Sequence, residues 1–172
     1  MVFRYFFPDE YVKSIYEIDI DELVSKGIKG VITDLDNTLV EWDRPNATPE
    51  LIDWLEKVKA KGINITIVSN NNEMRVKQFS EPLGISFISR AQKPMGKAFR
   101  QAVRQMRLNR EEVVVIGDQI FTDVFGGNRS RIHTILVVPV ARTDGFFTRF
   151  NRKMERIVLS KMKKKGMIEW ED

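Results

Sequence analysis

Short apolar segments alternate with amphipathic segments along the first 140 residues of the chain. The apolar segments are rich in Val and Ile and have the length of buried strands, at about 30–35, 63–68, 85–88, 113–117 and 134–138. The segments between them repeat their apolar positions at helical spacing, which predicts helices over 9–27, 49–60, 72–82, 94–107 and 120–129. Strands that alternate with helices form a parallel sheet with right-handed crossovers. The pattern therefore predicts an α/β fold with about five parallel strands.

Polar side chains stand where the predicted strands end. Asp34 and Asp36 lie at the end of the first strand, Ser69 follows the second, and Asp118 and Asp123 follow the fourth. Residues i and i+2 of an extended chain face the same side, and ligands of open parallel sheets bind beyond the carboxyl ends of the strands. Two acids at such an end are costly unless a cation lies beside them. The pattern indicates a cation site, although paired acids alone are also typical of a loop that caps the next helix.

Four short motifs in this order resemble those of the haloacid dehalogenase-like phosphatases: Asp34-Leu35-Asp36-Asn37-Thr38, Ser69-Asn70, Lys93-Pro94, and Gly117-Asp118 through Thr122-Asp123. The resemblance covers about residues 28–140 and extends to the small YqeG-like phosphatases of subfamily IIIA, which Phe7-Pro8, Tyr11-Val12 and Ser14-Ile15 also fit. It implies a three-layer Rossmann-like core, to which members of the family often add a cap domain. A eukaryotic relative of that family dephosphorylates phosphatidylglycerophosphate.

The resemblance implies a covalent mechanism on the first acid of the first motif. Phosphate monoesters hydrolyse very slowly unaided, and an aspartyl-phosphate divides the reaction into two easier steps. Asp34 would be the nucleophile, and Asp36 would act as general acid and then general base. Mg²⁺ would be the cofactor, bound by the side chains of Asp34 and Asp118 and by the backbone carbonyl of Asp36. Asp123 would complete or support this metal shell.

The remaining motif residues are predicted to bind the phosphoryl group. Lys93 would place a positive charge beside the phosphoryl oxygens and Asp34, and Ser69 would donate its hydroxyl. Asn70 and Thr38 are expected to orient their loops. Lys97, one helical turn further on, competes with Lys93 for the same role, and we prefer Lys93 because Pro94 is predicted to be the first helical residue. The alternatives are a solvated surface charge for either lysine and a simple helix cap for Ser69.

Composition argues against several other classes of hydrolase. The chain has no cysteine and a single histidine, His133, which we interpret as structural. This composition argues against cysteine phosphatases, histidine phosphatases and zinc enzymes. No Gly-x-x-x-x-Gly-Lys loop is present, which argues against a P-loop NTPase. No apolar run reaches the length of a membrane span. The N-terminal residues do not look like a secretory signal, so we expect a cytoplasmic protein.

The spacing of the motifs predicts an open site. The segments 40–69 and 71–93 each have room for little more than one helix and one strand, and neither fits a cap domain. An open site favours a phosphate on a large or surface-bound molecule. A small metabolite would also suit if oligomerisation covered the site.

The charge of the chain is concentrated near its end. Residues 141–172 hold nine Lys or Arg and five acids, whereas residues 1–140 are neutral. We predict a core over 1–140 that includes an N-terminal helix, and a basic amphipathic extension over 141–172 with residues 147, 150, 154 and 157 on its apolar face. Three interpretations stay open for this extension: a helix packed on the sheet, contact with an anionic membrane at its inner face, or contact with nucleic acid.

Two functional hypotheses of different classes follow. The first is a Mg²⁺-dependent phosphomonoester hydrolase that acts on phosphatidylglycerophosphate, with a protein, nucleotide or sugar phosphate as the alternative substrate. The second is a non-catalytic module that binds nucleic acid or ribosomes on the same scaffold. Only the charge of the extension supports the second, and the set of acids at the strand ends argues against it.

Overall fold

One parallel sheet organises the molecule. The computed structural model describes residues 2–141 and 146–166. Its strands are β1 (Glu10–Val12), β2 (Gly30–Thr33), β3 (Asn64–Val68), β4 (Ser86–Ile88), β5 (Val113–Gly117) and β6 (His133–Val137). They lie in the order β1-β6-β5-β2-β3-β4, and each neighbouring pair is parallel. The predicted α/β class is confirmed, and the sheet has six strands rather than about five.

Helices connect the strands. The α-helices are α1 (Ile20–Ser25), α2 (Pro49–Ala60), α3 (Glu73–Ser80), α4 (Lys97–Gln105), α5 (Phe125–Arg129) and α6 (Phe146–Lys164). Single turns of 3-10 helix lie at Val2–Phe6, Ile15–Glu17, Glu81–Leu83 and Arg110–Glu112, and a π-helical turn lies at Ile120–Val124. Thr48 caps α2 by accepting a hydrogen bond from the backbone N–H of Leu51, and Pro49 is the first helical residue.

The additional strand comes from a segment that we predicted to be helical. Within residues 9–27 only α1 is an α-helix, and β1 pairs with β6 at the edge of the sheet. Asp9 fixes this pairing, because its backbone N–H donates to the carbonyl of Thr134 and its carboxylate accepts from the backbone N–H of Thr134. The strand depends on a contact 125 residues away along the chain, which local periodicity does not report.

Helices cover both faces of the sheet. On one face, Val31, Ile67 and Ile116 pack with the buried sides of α2 and α3. On the other face, Ile32 and Val115 pack with α4. Three layers result, as the family resemblance implies. In the part of the chain that the structure describes, α2 and β3 occupy the first gap between motifs, and α3 with β4 the second, so neither carries a cap domain.

The C-terminal helix α6 packs against the π-helical turn and β6. Val158 and Met162 are buried there with Ile120, Val124 and Leu136. Ile157, which we placed on the apolar face, is 43% exposed, so its place on the buried side was wrong. The side chains at 147, 150 and 154 lie outside the described residues. No helix in the described ranges is long and apolar enough to cross a membrane.

The direction of α6 follows from its contacts at each end. The Glu155 carboxylate accepts a hydrogen bond from the backbone N–H of Ile120, just beyond the carboxyl end of β5, at 3.2 Å. The ammonium groups of Lys161 and Lys165 lie over the rings of Phe3 and Phe7, which precede β1. The helix therefore runs antiparallel to the strands, and its lysine-rich end lies near the amino ends of β1 and β6.

Candidate active site

Three carboxylates meet at the carboxyl edge of the sheet. Asp34 directly follows β2, Asp118 directly follows β5, and Asp123 lies in the π-helical turn after β5. One carboxylate oxygen from each lies within 4.8 Å of the other two. The three residues are 8%, 4% and 1% exposed, so this acidic cluster is largely withdrawn from water. Strands β2 and β5 are neighbours in the sheet, which is why acids 84 positions apart along the chain, 34 and 118, come together.

A tight backbone turn carries Asp123 back into the cluster. The Asp123 backbone N–H donates to the carbonyl of Gln119, and the Asp123 carboxylate accepts from the backbone N–H of Gln119. The carboxyl of Asp123 lies directly over Gly117, where any β-carbon would overlap it. Glycine at 117 is therefore required for Asp123 to reach Asp34 and Asp118.

Lys93 is the cation of the cluster. Its Nζ lies 3.0 Å from Oδ1 of Asp34 and 2.7 Å from Oδ1 of Asp123, and its side chain is 2% exposed. The side chain of Asn70 holds the backbone of Lys93 on both sides. Asn70 Oδ1 accepts from the Lys93 N–H at 2.7 Å, and Asn70 Nδ2 donates to the Lys93 carbonyl at 3.2 Å. Asn70 thus connects the end of β3 to the lysine.

The choice of Lys93 over Lys97 agrees with the geometry, but one argument for it was wrong. Pro94 is not the first helical residue, because it lies in a turn and α4 begins at Lys97. The backbone polar groups of Lys93 are bound to Asn70, so the chain forms a turn before the helix begins. Lys97 is exposed and makes no ion pair with Asp34, Asp118 or Asp123, all of which lie in the described part of the chain.

The cluster carries more negative than positive charge. Burial raises the pKa of Asp118 well above its usual range, and the charges of Asp34 and Asp123 raise it further. Burial also raises the pKa of Asp34, although the Lys93 ammonium opposes this shift. Burial alone would lower the pKa of Lys93, but the two carboxylates beside it raise that pKa above its usual value. One ammonium does not neutralise three buried carboxylates, and a divalent cation with oxygen ligands fits the remaining charge.

Thr38 orients one of the three carboxylates. Its hydroxyl donates to Oδ1 of Asp118 at 2.8 Å, and both residues are buried. This hydrogen bond restricts the rotamer of the Asp118 side chain. The sequence predicts only that Thr38 orients its own loop, and the contact with Asp118 is additional.

The carboxylate of Asp36 lies outside the cluster and is hydrogen-bonded by Arg75 and Asn71. Arg75 donates from Nε and Nη2 to Oδ1 of Asp36 at 3.2 and 3.0 Å. Asn71 donates from Nδ2 to Oδ2 at 2.9 Å. Arg75 was missed by the sequence analysis, because its role depends on how the first turn of α3 packs against the β2 loop. No motif signal marks it, and only the position of Asn72 as the cap of that helix places Arg75 near the sheet edge.

Ser69 lies at the end of β3 and is buried. Its Oγ accepts a hydrogen bond from the backbone N–H of Asn71 at 3.1 Å, which orders the turn that presents Asn70 and Asn71. The hydroxyl proton is not used by this bond. His133 begins β6 at the opposite edge of the sheet, where its Nε2 lies 2.7 Å from Oε1 of Glu10, so it takes no part in the cluster.

The sequence of the chain is similar to those of known proteins. The family model of the haloacid dehalogenase-like hydrolases matches residues 6–130. The chain is 64% identical over 172 residues, the full length of both proteins, to a probable phosphatase, YqeG, of Bacillus subtilis. It is 30% identical to phosphatidylglycerophosphate phosphatase 1, chloroplastic/mitochondrial, of Arabidopsis thaliana, over 95% of this chain and 50% of that protein.

A solved structure shares the fold. The cobalt-bound form of deoxy-D-mannose-octulosonate 8-phosphate phosphatase from Haemophilus influenzae matches with a TM-score of 0.56 at 17% identity. The match covers 78% of this chain and 89% of that one. At this level of identity the match is informative about the fold alone.

Proposed function

This chain belongs to the haloacid dehalogenase-like hydrolases and is a phosphatase of that superfamily, and we propose that it cleaves phosphate monoesters through an aspartyl-phosphate on Asp34. The observation that carries the proposal is the buried group of Asp34, Asp118, Asp123 and Lys93 at the carboxyl edge of the sheet. A group with this charge is costly for a scaffold that only binds a partner, which favours catalysis over a pure binding role.

Magnesium is the proposed cofactor. The carboxylates of Asp34, Asp118 and Asp123 would hold it, together with the backbone carbonyl of Asp36. An all-oxygen donor set of this kind suits a hard divalent cation. When bound, the cation would mask the negative charge that otherwise keeps a carboxylate nucleophile and a phosphoryl group apart.

The residues of the chain would carry two successive displacements. An Asp34 carboxylate oxygen attacks phosphorus, the bond from phosphorus to the ester oxygen breaks, and Asp36 gives its proton to that oxygen. Asp36 then takes a proton from a water molecule, which attacks phosphorus, releases inorganic phosphate and restores Asp34. Lys93 holds Asp34 in place and faces the charge that develops on the phosphoryl oxygens, and Ser69 donates its free hydroxyl proton to them. Asn70 fixes Lys93.

Phosphatidylglycerophosphate is the proposed substrate. The Arabidopsis relative that is named for this substrate matches 95% of this chain. The absence of a cap in the described core also suits a phosphate that is carried by a membrane lipid. The proposal places the protein in the cytoplasm, peripheral at the inner face of the membrane, with anionic lipid as a partner. The C-terminal helix α6 is one candidate for that contact, since it carries a basic outer side.

Phosphate release from phosphatidylglycerophosphate in mixed micelles with Mg²⁺ tests this proposal. The wild type is compared with Asp34→Asn and with Asp43→Asn, which makes the same substitution at an exposed acid of the β2 loop. We expect lipid turnover in the wild type and in Asp43→Asn, and its loss in Asp34→Asn with the fold retained. Turnover of soluble esters only would overturn the lipid substrate, and full activity of Asp34→Asn would overturn the mechanism.

A further inference from the structure

The outer surface of α4 is a row of cations. Between Glu81 and Glu111 the chain has seven Lys or Arg and no acid. Helix α4 buries Ala98, Phe99 and Ala102 against the sheet. The exposed cations that remain on and just after the helix form what we call the α4 basic stripe: Lys97, Arg100, Arg104 and Arg107. Residues three or four apart share one side of a helix, so Lys97, Arg100 and Arg104 face outward together, and the exposed Arg107 follows two residues after the helix ends.

The charges of the stripe are not neutralised by neighbouring side chains. None of the four makes an ion pair with a residue in the described ranges, whereas Lys59 on α2 pairs with Glu56 and Lys77 on α3 pairs with Glu81. Arg100 and Ser130 both lie over Gly96, which brings the exposed Arg129 and Arg131 beside the stripe. Residues 1–140 are neutral in sum, so the total charge of the core conceals this strongly positive side.

One end of the stripe lies at the rim of the active site. The turn that carries Lys93 leads directly into α4, which runs back along the sheet from its carboxyl edge. The stripe thus begins beside the carboxylate cluster and extends away from it along α4, whose nine residues span about 14 Å at 1.5 Å per residue. Two methionines flank the same rim: Met95 is 60% exposed in the turn before α4, and Met74 is 79% exposed in the first turn of α3.

We propose that the α4 basic stripe binds the anionic headgroups of a lipid bilayer and holds the rim of the active site at headgroup level. This inference rests on the proposed lipid substrate. A row of unpaired cations is complementary to an anionic lipid surface, and each Lys or Arg near such a surface strengthens binding by about fivefold. The flexible apolar side chains of Met74 and Met95 suit the boundary between headgroups and acyl chains. A phospholipid phosphate in the same layer would then enter the site beside the helix.

Nucleic acid also binds basic helices, but the surface favours a bilayer. Proteins that bind single strands stack bases on exposed aromatic side chains, and none of the residues of the stripe or its rim is aromatic. The charged backbone of a nucleic acid offers no apolar surface for the exposed methionines at the rim to contact. The lysines at the end of α6 are less well placed, because that end lies near the amino ends of the strands, away from the site.

Sedimentation with vesicles tests the inference without any turnover. Vesicles of phosphatidylcholine, with and without phosphatidylglycerol, are mixed with the full chain. We expect binding only to the anionic vesicles, and a loss of roughly 100-fold in the partition coefficient for the triple variant Arg100→Gln, Arg104→Gln, Arg107→Gln. The matched control removes three exposed cations of α6 by Lys153→Gln, Lys163→Gln and Lys164→Gln. This control should bind within about fivefold of the wild type.

Three results would overturn the inference. They are equal binding to neutral and anionic vesicles, equal loss in both triple variants, and binding of an RNA oligonucleotide through the stripe without binding to anionic vesicles. Hydrolysis of p-nitrophenyl phosphate reports that the stripe variant is folded and should not change. If the stripe binds vesicles but phosphatidylglycerophosphate is not hydrolysed, the proposed substrate is wrong, whereas the proposed membrane-binding surface is retained.

Discussion

Arg75 holds the carboxylate of Asp36 with two N–H groups, 3.0 and 3.2 Å from the same oxygen. The guanidinium side chain is 15% exposed and lies 5.6 Å from the ring centre of Phe79, so its position is fixed by packing as well as by charge. Asp36 is the proposed general acid, and its carboxylate stands apart from the three that would hold the metal. The contact with Arg75 therefore keeps the proposed general acid, Asp36, away from the three carboxylates that would bind the metal.

Replacing Arg75 should affect the step that protonates the leaving group. An alkyl phosphate needs a proton on its leaving oxygen, whereas p-nitrophenolate leaves without one. General acid catalysis contributes about 100-fold or more. We expect Arg75→Met to lower kcat/KM, which reports the steps up to release of the leaving group, by about 10- to 100-fold for glycerol phosphate and much less for p-nitrophenyl phosphate. Lys77→Met on the same helix is the control, and Arg75→Lys should restore part of the loss. An equal loss on both substrates would contradict the positioning role.

Asp118→Asn should stabilise the protein in the absence of metal. Burial raises the pKa of Asp118 in the folded state, so the folded protein binds its proton more tightly than the unfolded chain does. The contribution of Asp118 to stability is therefore full below its unfolded pKa of about 4 and is lost as the pH rises through the folded value. At neutral pH the neutral amide avoids this loss, and its oxygen still accepts from Thr38.

Thermal unfolding in EDTA measures this effect. The unfolding temperature of Asp118→Asn should exceed that of the wild type by several degrees at pH 7, at about 2–4 °C per kcal/mol for a chain of this size. The difference should shrink toward acid pH, and Mg²⁺ should stabilise the wild type but not the variant. Asp53→Asn at an exposed position of α2 is the control. A variant less stable than the wild type at pH 7 in EDTA would be inconsistent with a destabilising Asp118 charge.

Asn70→Ala should impair catalysis through the position of Lys93. The variant removes both hydrogen bonds that hold the Lys93 backbone, and displacement of a catalytic group by about 1 Å can cost 100-fold in rate. We expect kcat to fall by about 10- to 100-fold while Mg²⁺ still raises the unfolding temperature. Asn64→Ala, at an exposed position that begins β3, should leave both quantities unchanged. An unaltered kcat in Asn70→Ala would show that Asn70 does not position Lys93 for catalysis.

Removal of divalent metal should abolish turnover. The three carboxylates leave an excess of negative charge that Lys93 does not neutralise, and a phosphate dianion would meet that charge in a metal-free site. Excess chelator should stop phosphate release, and added Mg²⁺ should restore it. Full activity in excess chelator would show that the carboxylates act without a metal.

The sequence predicts the fold well where the signal is local. Apolar segments of Val and Ile form the central strands β2, β3 and β5, and the acids that follow two of them meet at one edge because parallel strands end together. Strand β1 has only three residues and depends on its pairing with β6, so its periodicity carries little information. The helix start at Pro94 was wrong for a similar reason, because Asn70 binds the backbone before it.

The parts of the site that sequence reasoning missed depend on packing between distant segments. Arg75 reaches Asp36 only because α3 lies beside the β2 loop, and Thr38 reaches Asp118 across 80 positions. The α4 basic stripe was missed because charges were summed over the core, where acids elsewhere cancel them. The net charge of the core does not report where on the surface the charges lie, whereas α4 places several of them on one side.

The measurement that tests the central claim most directly is the site of covalent phosphorylation during turnover. Wild-type protein is mixed with substrate and Mg²⁺, quenched in acid, digested and examined by mass spectrometry. We predict a phosphate adduct on Asp34, absent from Asp34→Asn and present in Asp43→Asn. An adduct on another residue, or turnover that persists in Asp34→Asn, would contradict the account.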